Sequence, residues 1–230
     1  MKNLKKVLPI LLVFVLLFAG GCKDKADNIG NDSDVVEFRG KQFPALVSED
    51  IEITKAFLYN GEYPEDASFR PVSDVFAIKV KNLSQKDIQL VRLYVVTDQN
   101  EYFFEVTTLP SQKSVTVLEK NGQTILDDEK ILEIREENKV FFENNISLNA
   151  DKFQLAPLDK VINIKNISSE NISSDVYVYF KRVDENGDYF GGITFRSNAG
   201  PMKADEFKQI PASHFMKENS EVLFVDYAKP

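Results

Sequence analysis

The chain contains no tryptophan, one histidine and one cysteine. A single cysteine excludes an intrachain disulfide, so the fold must be held by its core alone. The lone histidine, His214, has no second histidine and no free cysteine with which to build a zinc site. Ser213 beside it makes a poor nucleophile–base pair, because neighbouring side chains diverge. His214 is therefore read as a structural or surface residue. There is no phosphate-cradling P-loop, no Gly-x-Gly-x-x-Gly and no Gly-x-Ser-x-Gly. No long amphipathic helix is evident. The best helical window, residues 128–138, is dense in acids and fits a short strand about as well, and residues 204–209 suit a single helical turn. No cofactor is implied.

The amino terminus is the most directive segment present. Lys2, Lys5 and Lys6 are followed by an apolar run over residues 7–19 and then by Ala19-Gly20-Gly21-Cys22. This is the order of a secretory signal peptide: basic, apolar, small. The run is shorter than the roughly 20 residues a spanning helix needs, it contains Pro9, and its two glycines suit a cleavage site.

The small residues ending in cysteine resemble the lipobox of bacterial lipoproteins, with alanine at position 19 where leucine is commoner. That resemblance implies a diacylglyceryl group on the sulfur of Cys22 and, after cleavage, an acyl chain such as palmitate on its new amino terminus. Two or more chains give stable anchoring. The expectation is a mature chain beginning at Cys22, lipid-anchored on the extracytoplasmic face of the cell membrane.

Loss of the three leader lysines takes the formal net charge from −8 to −11. Such acidity argues against nucleic acid, whose phosphates it would repel, and against lying flat on anionic lipid. Residues 23–34, KDKADNIGNDSD, show no periodicity and read as a flexible polar tether. The roughly 200 residues that follow are enough for one or two self-supporting domains.

From Val35 onward the pattern is β. Phe76, Ile78 and Val80 alternate with Ala77, Lys79 and Lys81, and Val91, Leu93 and Val95 alternate with Arg92, Tyr94 and Val96. Such period-two patterning marks strands with one buried face. The segment Val80-Lys81-Asn82-Leu83-Ser84 returns as Ile164-Lys165-Asn166-Ile167-Ser168, each followed four residues later by isoleucine, Ile88 and Ile172. Strands over 91–96 and 176–180, polar turns at 98–100 and 184–187, and aromatic strands at 102–104 and 189–190 then follow in the same order. This is an internal duplication.

Each unit spans about 90–105 residues with around seven strand candidates, the size and rhythm of an immunoglobulin-like β-sandwich. The expectation is all-β, with one sandwich over residues 35–142 and a second over 143–230. Residues 140–142 would close the first and 146–153 would open the second. The pattern of alternating strand, Lys-Asn-hydrophobe-Ser, strand and Asp-x-Asn turn resembles the small immunoglobulin-like domains of lipoproteins from low-GC Gram-positive bacteria, including the FxLYD and telokin-like groups. Their motifs are those of a scaffold, so the resemblance carries over no catalytic residue.

Three further clusters stand out. Asp184-Glu185-Asn186-Gly187-Asp188 faintly echoes a calcium loop, but the twelfth position would be Phe195, which cannot ligate. A hairpin turn suits Asn186-Gly187 better. The acids Asp127, Asp128, Glu129, Glu133, Glu136, Glu137 and Glu143 read as a solvated, protected sheet edge. Tyr94, Tyr177, Tyr179, Tyr189 and Phe190 lie on or beside the central hairpins and form a candidate interaction face, since tyrosine is enriched at binding hot spots. Asn-x-Ser triplets at Asn82, Asn145, Asn166 and Asn171 read as turn chemistry.

The function expected is a non-enzymatic binding module anchored through Cys22, with an envelope protein as partner. A lipoprotein capturing cations, cationic peptides or solutes is the alternative, and a carboxylate-based envelope hydrolase the third reading.

Overall fold

The computed structural model describes residues 35–228. The leader, Cys22 and the polar tether lie outside the described residues. Every regular element among the described residues is a strand. After a short hairpin of β1 (Val36–Phe38) and β2 (Lys41–Phe43) come β3 (Ala45–Ser48), β4 (Ile51–Tyr63), β5 (Arg70–Asn82), β6 (Ile88–Thr97), β7 (Glu101–Leu109), β8 (Ser114–Leu118) and β9 (Ile131–Phe141). The second half holds β10 (Phe153–Leu158), β11 (Val161–Asn166), β12 (Ile172–Val183), β13 (Tyr189–Met202), β14 (Phe207–Pro211) and β15 (Ser220–Tyr227).

Pairing repeats between the halves. In the first, β5 lies between β4 and β8, and β6 lies between β7 and β9. In the second, β11 lies between β10 and β14, and β12 lies between β13 and β15. The order of corresponding strands is the same, as a duplication requires. Inward residues of the facing sheets meet in two cores, an arrangement compatible with a β-sandwich in each half. Ile53, Phe76 and Ile78 pack with Val91, Leu93 and Phe104 in one core, and Ile162, Ile164 and Ile210 pack with Val176, Val178 and Phe180 in the other. Phe76 meets Tyr102 and Phe104 edge-on at 5.2 and 5.3 Å, the favoured aromatic geometry.

The Asn-Ser turns occupy equivalent corners. Asn82 Nδ2 donates to the carbonyl oxygens of Lys86 and Leu109 at 2.9 and 3.1 Å. Asn166 Nδ2 donates to those of Glu170 and Lys203 at 2.8 and 2.9 Å. Each Oδ1 accepts from the serine two residues on, at 2.7 Å from the hydroxyl. Both asparagines are fully buried. An amide there satisfies backbone groups that a sheet ladder leaves unpaired where the chain crosses between sheets.

The halves share a sheet. Parallel pairing of Tyr189 with Val115 and Phe190 with Thr116 joins β13 to β8 and gives one seven-stranded sheet, β15-β12-β13-β8-β5-β4-β3. The long β4–β5 hairpin also projects past its own sandwich. At its tip Ala67 and Phe69 pack on the second core, where Phe69 stacks on Phe195 at 6.0 Å.

Several local expectations change. Of the two readings of residues 128–138 the strand holds, residues 131–138 lying in the edge strand β9, whereas the suggested helical turn at 204–209 is a tight turn leading into β14. Residues 146–152 are not a strand. There the chain turns at Asn149, whose carbonyl oxygen accepts from the amides of Lys152 and Phe153, and β10 begins only at Phe153.

Candidate ligand cleft at the junction

Local register decides which side chains reach the junction. On β4, Ala56 and Leu58 face the first core, so Phe57 and Tyr59 share the opposite face. Phe190, from β13, meets Tyr59 at 5.4 Å between ring centroids. These three half-buried rings, contributed by both halves, line a cleft of about 630 Å³. The end of β12, the turn after it, Glu218 and Asn219 line the rest of it. The turn is the expected hairpin: Gly187 has φ +80° and its amide donates to the Asp184 carbonyl oxygen at 3.1 Å.

The cleft is predominantly negative. Glu62, Asp184, Glu185 and Glu218 line it against one cation, Arg182. Arg182 is held at 3.7 Å from Glu62 and 4.9 Å above the Phe69 ring. Asp184 Oδ1 accepts from the amides of Asn186 and Asp188. Glu185 and Glu218 are exposed and make no ion pair among the described residues. Two buried atoms of the lining residues, Arg182 Nε and Asn219 Oδ1, have no hydrogen-bond partner.

Beneath the junction lies a buried polar lock. Glu65, from the β4–β5 loop, accepts from the amides of Leu118 at 3.0 Å and Gly192 at 2.9 Å. Lys181 Nζ donates to the carbonyl oxygens of Thr107, Gly192 and Ile193 at 2.8, 2.9 and 2.9 Å. Thr194 Oγ1 donates to the Thr107 carbonyl oxygen at 2.7 Å. Burial lowers the Lys181 pKa to about 7, against the opposing attraction of Glu65, and burial raises that of Glu65. Three carbonyl acceptors around one ammonium, and amide donors around one carboxylate, suit the charged forms of both.

The expected interaction face does not assemble. Tyr189 is 3% exposed within the first core, so it is unavailable to a partner. It begins β13 at the parallel junction, which covers it. Tyr94 lies on β6 beside Phe103 at 5.0 Å, with the Arg135 guanidinium 5.3 Å from its ring. Tyr177 and Tyr179 do share the half-buried face of β12, but Tyr179 is stacked on Phe224 at 4.2 Å. Only Phe190 reaches the cleft.

The acidic stretch likewise separates. Asp127 pairs with Arg39 at 2.6 Å, and Glu136 with Lys139 at 3.2 Å. Glu129 is buried, accepting from Thr97, Tyr102 and Asn100. Among the described residues no three His, Cys, Asp or Glu side chains converge as a metal site. His214 stacks on Phe195 at 4.7 Å.

The lining residues Phe57, Tyr59 and Arg182 and the lock residues Glu65 and Lys181 escape a sequence reading. The alternating stripe Lys55-x-Phe57-x-Tyr59 is the one local pattern that points to the cleft, since it puts two rings on the polar side of a strand. Comparison of the chain with family models, with curated protein sequences and with solved structures finds no match.

Proposed function

We propose that the protein is a non-enzymatic binding module, tethered to the extracytoplasmic face of the cell membrane through lipid on Cys22. The order of basic segment, apolar run, small residues, cysteine and polar leash supports the tether. The resemblance to lipoproteins carrying tandem immunoglobulin-like domains supports the same reading, with an envelope protein as the partner class.

The observation that carries the binding role is the cleft built jointly by β4 of the first half and the β12–β13 turn of the second. Recognition sites are concave, largely apolar and furnished with a few placed polar groups. This one combines three rings with unpaired carboxylates on a scaffold fixed by a shared sheet.

Cell fractionation tests the tether. Wild-type chain is expected in the membrane fraction and Cys22→Ala in the soluble extracytoplasmic fraction, with unchanged folding. A Cys22→Ala chain that stays membrane-bound overturns the lipid anchor. Cross-linking on intact cells tests the partner: the expected outcome is one dominant adduct that disappears on mutation of the cleft.

A further inference from the structure

The chemistry of the junction cleft restricts what it can hold, and we infer that its occupant is a basic peptide segment presenting lysine or arginine. The inference rests on the binding-module reading and assigns the ligand of that same cleft. Charge is the first argument. Four acids line the cleft with one arginine, which Glu62 and the Phe69 ring already engage, and Lys55 reaches only the Phe57 ring. Among the described residues Glu185 and Glu218 make no ion pair, in a chain whose overall charge is also negative.

The rings supply the second argument. Cations bind over aromatic faces, most strongly where water is partly excluded. The chain's own Lys55 already engages one lining ring in this mode, its Nζ 5.1 Å from the centroid of Phe57, which leaves Tyr59 and Phe190 to a ligand. A ligand lysine laid along Tyr59 and Phe190 would bury its methylenes on the rings and bring its ammonium towards the free carboxylates.

The third argument separates a peptide from a bare cation. A metal ion would leave most of the cleft unfilled, and among the described residues no three His, Cys, Asp or Glu side chains converge to hold one. The volume of about 630 Å³ suits a segment of a few residues.

Fluorescence anisotropy of labelled pentalysine, titrated with the full chain in non-ionic detergent, tests the assignment. Saturable binding is expected. The double variant Glu185→Gln, Glu218→Gln should weaken it about tenfold, since both carboxylates are lost where no other cation pairs them. Glu133→Gln, Glu137→Gln on β9 removes the same charge far from the cleft and should leave binding within about twofold. Pentalysine acetylated on its side chains should not bind. All four substituted carboxylates are exposed, so the variants should fold, and circular dichroism verifies it.

Absence of saturation to about 1 mM overturns the inference. So does equal weakening by both double variants, which would mean general attraction to an acidic surface. Spermidine competing as well as pentalysine, with the same sensitivity to Glu185 and Glu218, would replace the peptide by a polyamine. Fractionation of Cys22→Ala reads the tether without reference to the cleft, and the cross-linked adduct reads recognition without assuming a basic ligand. A cleft-dependent adduct with no response to pentalysine therefore rejects the occupant alone.

Discussion

The ammonium of Lys181 donates a 2.8 Å hydrogen bond to the main-chain carbonyl oxygen of Thr107, 74 residues earlier and in the other half of the molecule. A strand bulge makes this possible. Phe180 pairs with Phe195 and Arg182 with Phe190, so residues 191–194 of β13 bow out opposite Lys181. The carbonyl oxygens of Gly192 and Ile193 turn onto its Nζ. The same bow places the Gly192 amide on Glu65. Lysine and glutamate thus join the two halves, each held by main-chain groups of both halves.

Removing one member of that lock strands the other. Lys181→Met is expected to lower unfolding stability by about 1–3 kcal/mol or more, because it leaves three buried carbonyl oxygens without their donor. Glu65→Gln should cost roughly 1–3 kcal/mol, because an amide oxygen still accepts from one backbone N–H. Denaturant unfolding of both single variants and the double variant gives the coupling. The double variant should lose less than the sum of the singles. Strict additivity would mean that the two side chains do not act as a pair.

The lock also predicts a pH dependence. Lys181 has a pKa lowered to about 7 in the folded chain, against an ordinary value of about 10.4 in the unfolded one. Between these values the unfolded chain holds the proton more tightly, so stability from this group rises with pH and is lost as pH falls through about 7. The raised carboxyl of Glu65 acts in the opposite sense: its stability is present at low pH and is lost as pH rises through the raised value. Lys181→Met removes the first dependence and, without its cation, raises the Glu65 carboxyl further. Both changes make wild type gain on the variant from pH 6 to pH 9, with a slope approaching ~1.4 kcal/mol per pH unit. Melting the two chains in parallel measures it, and a pH-independent difference would rule out titration of the lysine.

What the sequence makes legible is whatever follows a regular period. Val176, Val178 and Phe180 are core and Tyr177 and Tyr179 are half buried, as alternation requires. One residue later the rule fails. Lys181 should share the tyrosine face, yet it is fully buried, because the bulge resets the register. Glu65 sits in Pro64-Glu65-Asp66-Ala67-Ser68, which reads as a solvated turn, and its burial depends on a half of the chain more than 100 residues away. The parallel step from β8 to β13 leaves no local mark either, since it pairs only two residues on each strand. Hence strands, their recurring order and turns are readable in the sequence, whereas the cleft and its lock arise from contacts between the two halves.

The repeated corners give a prediction that tests the duplication energetically. Asn82→Ala and Asn166→Ala each strip buried carbonyl oxygens of their amide donor and remove the acceptor for a serine hydroxyl. Each should cost about 2–3 kcal/mol, the penalty of leaving buried polar groups unsatisfied. Ser84→Ala and Ser168→Ala, at partly exposed positions, should cost under about 1.5 kcal/mol each. Chemical denaturation ranks the four. A large loss at one corner and none at the other would show that the matching networks do unequal structural work.

Gly192 provides the most stringent test of the junction. A β-carbon built there would collide with the Glu105 carbonyl oxygen and come within 2.9 Å of the Glu65 carboxylate and 3.0 Å of a Val117 methyl. Two of these neighbours belong to sheet strands and the third is fixed by its own hydrogen bonds, so none can yield cheaply. Gly192→Ala must push β13 away from β7 and β8, and should lower stability by about 1–3 kcal/mol or more, as overpacking does. It should also weaken binding in the cleft, because Phe190 lies two residues away on the displaced strand. Gly187→Ala is the control. Its β-carbon would meet nothing within 4 Å, but φ is +80°, so the cost is backbone strain of about 1–2 kcal/mol with the junction intact. Thermal melts and pentalysine titration of the two variants should therefore separate: both lose stability, and only Gly192→Ala loses the ligand. If both lose it, the turn conformation at 184–188 contributes to recognition along with the seam between the sheets.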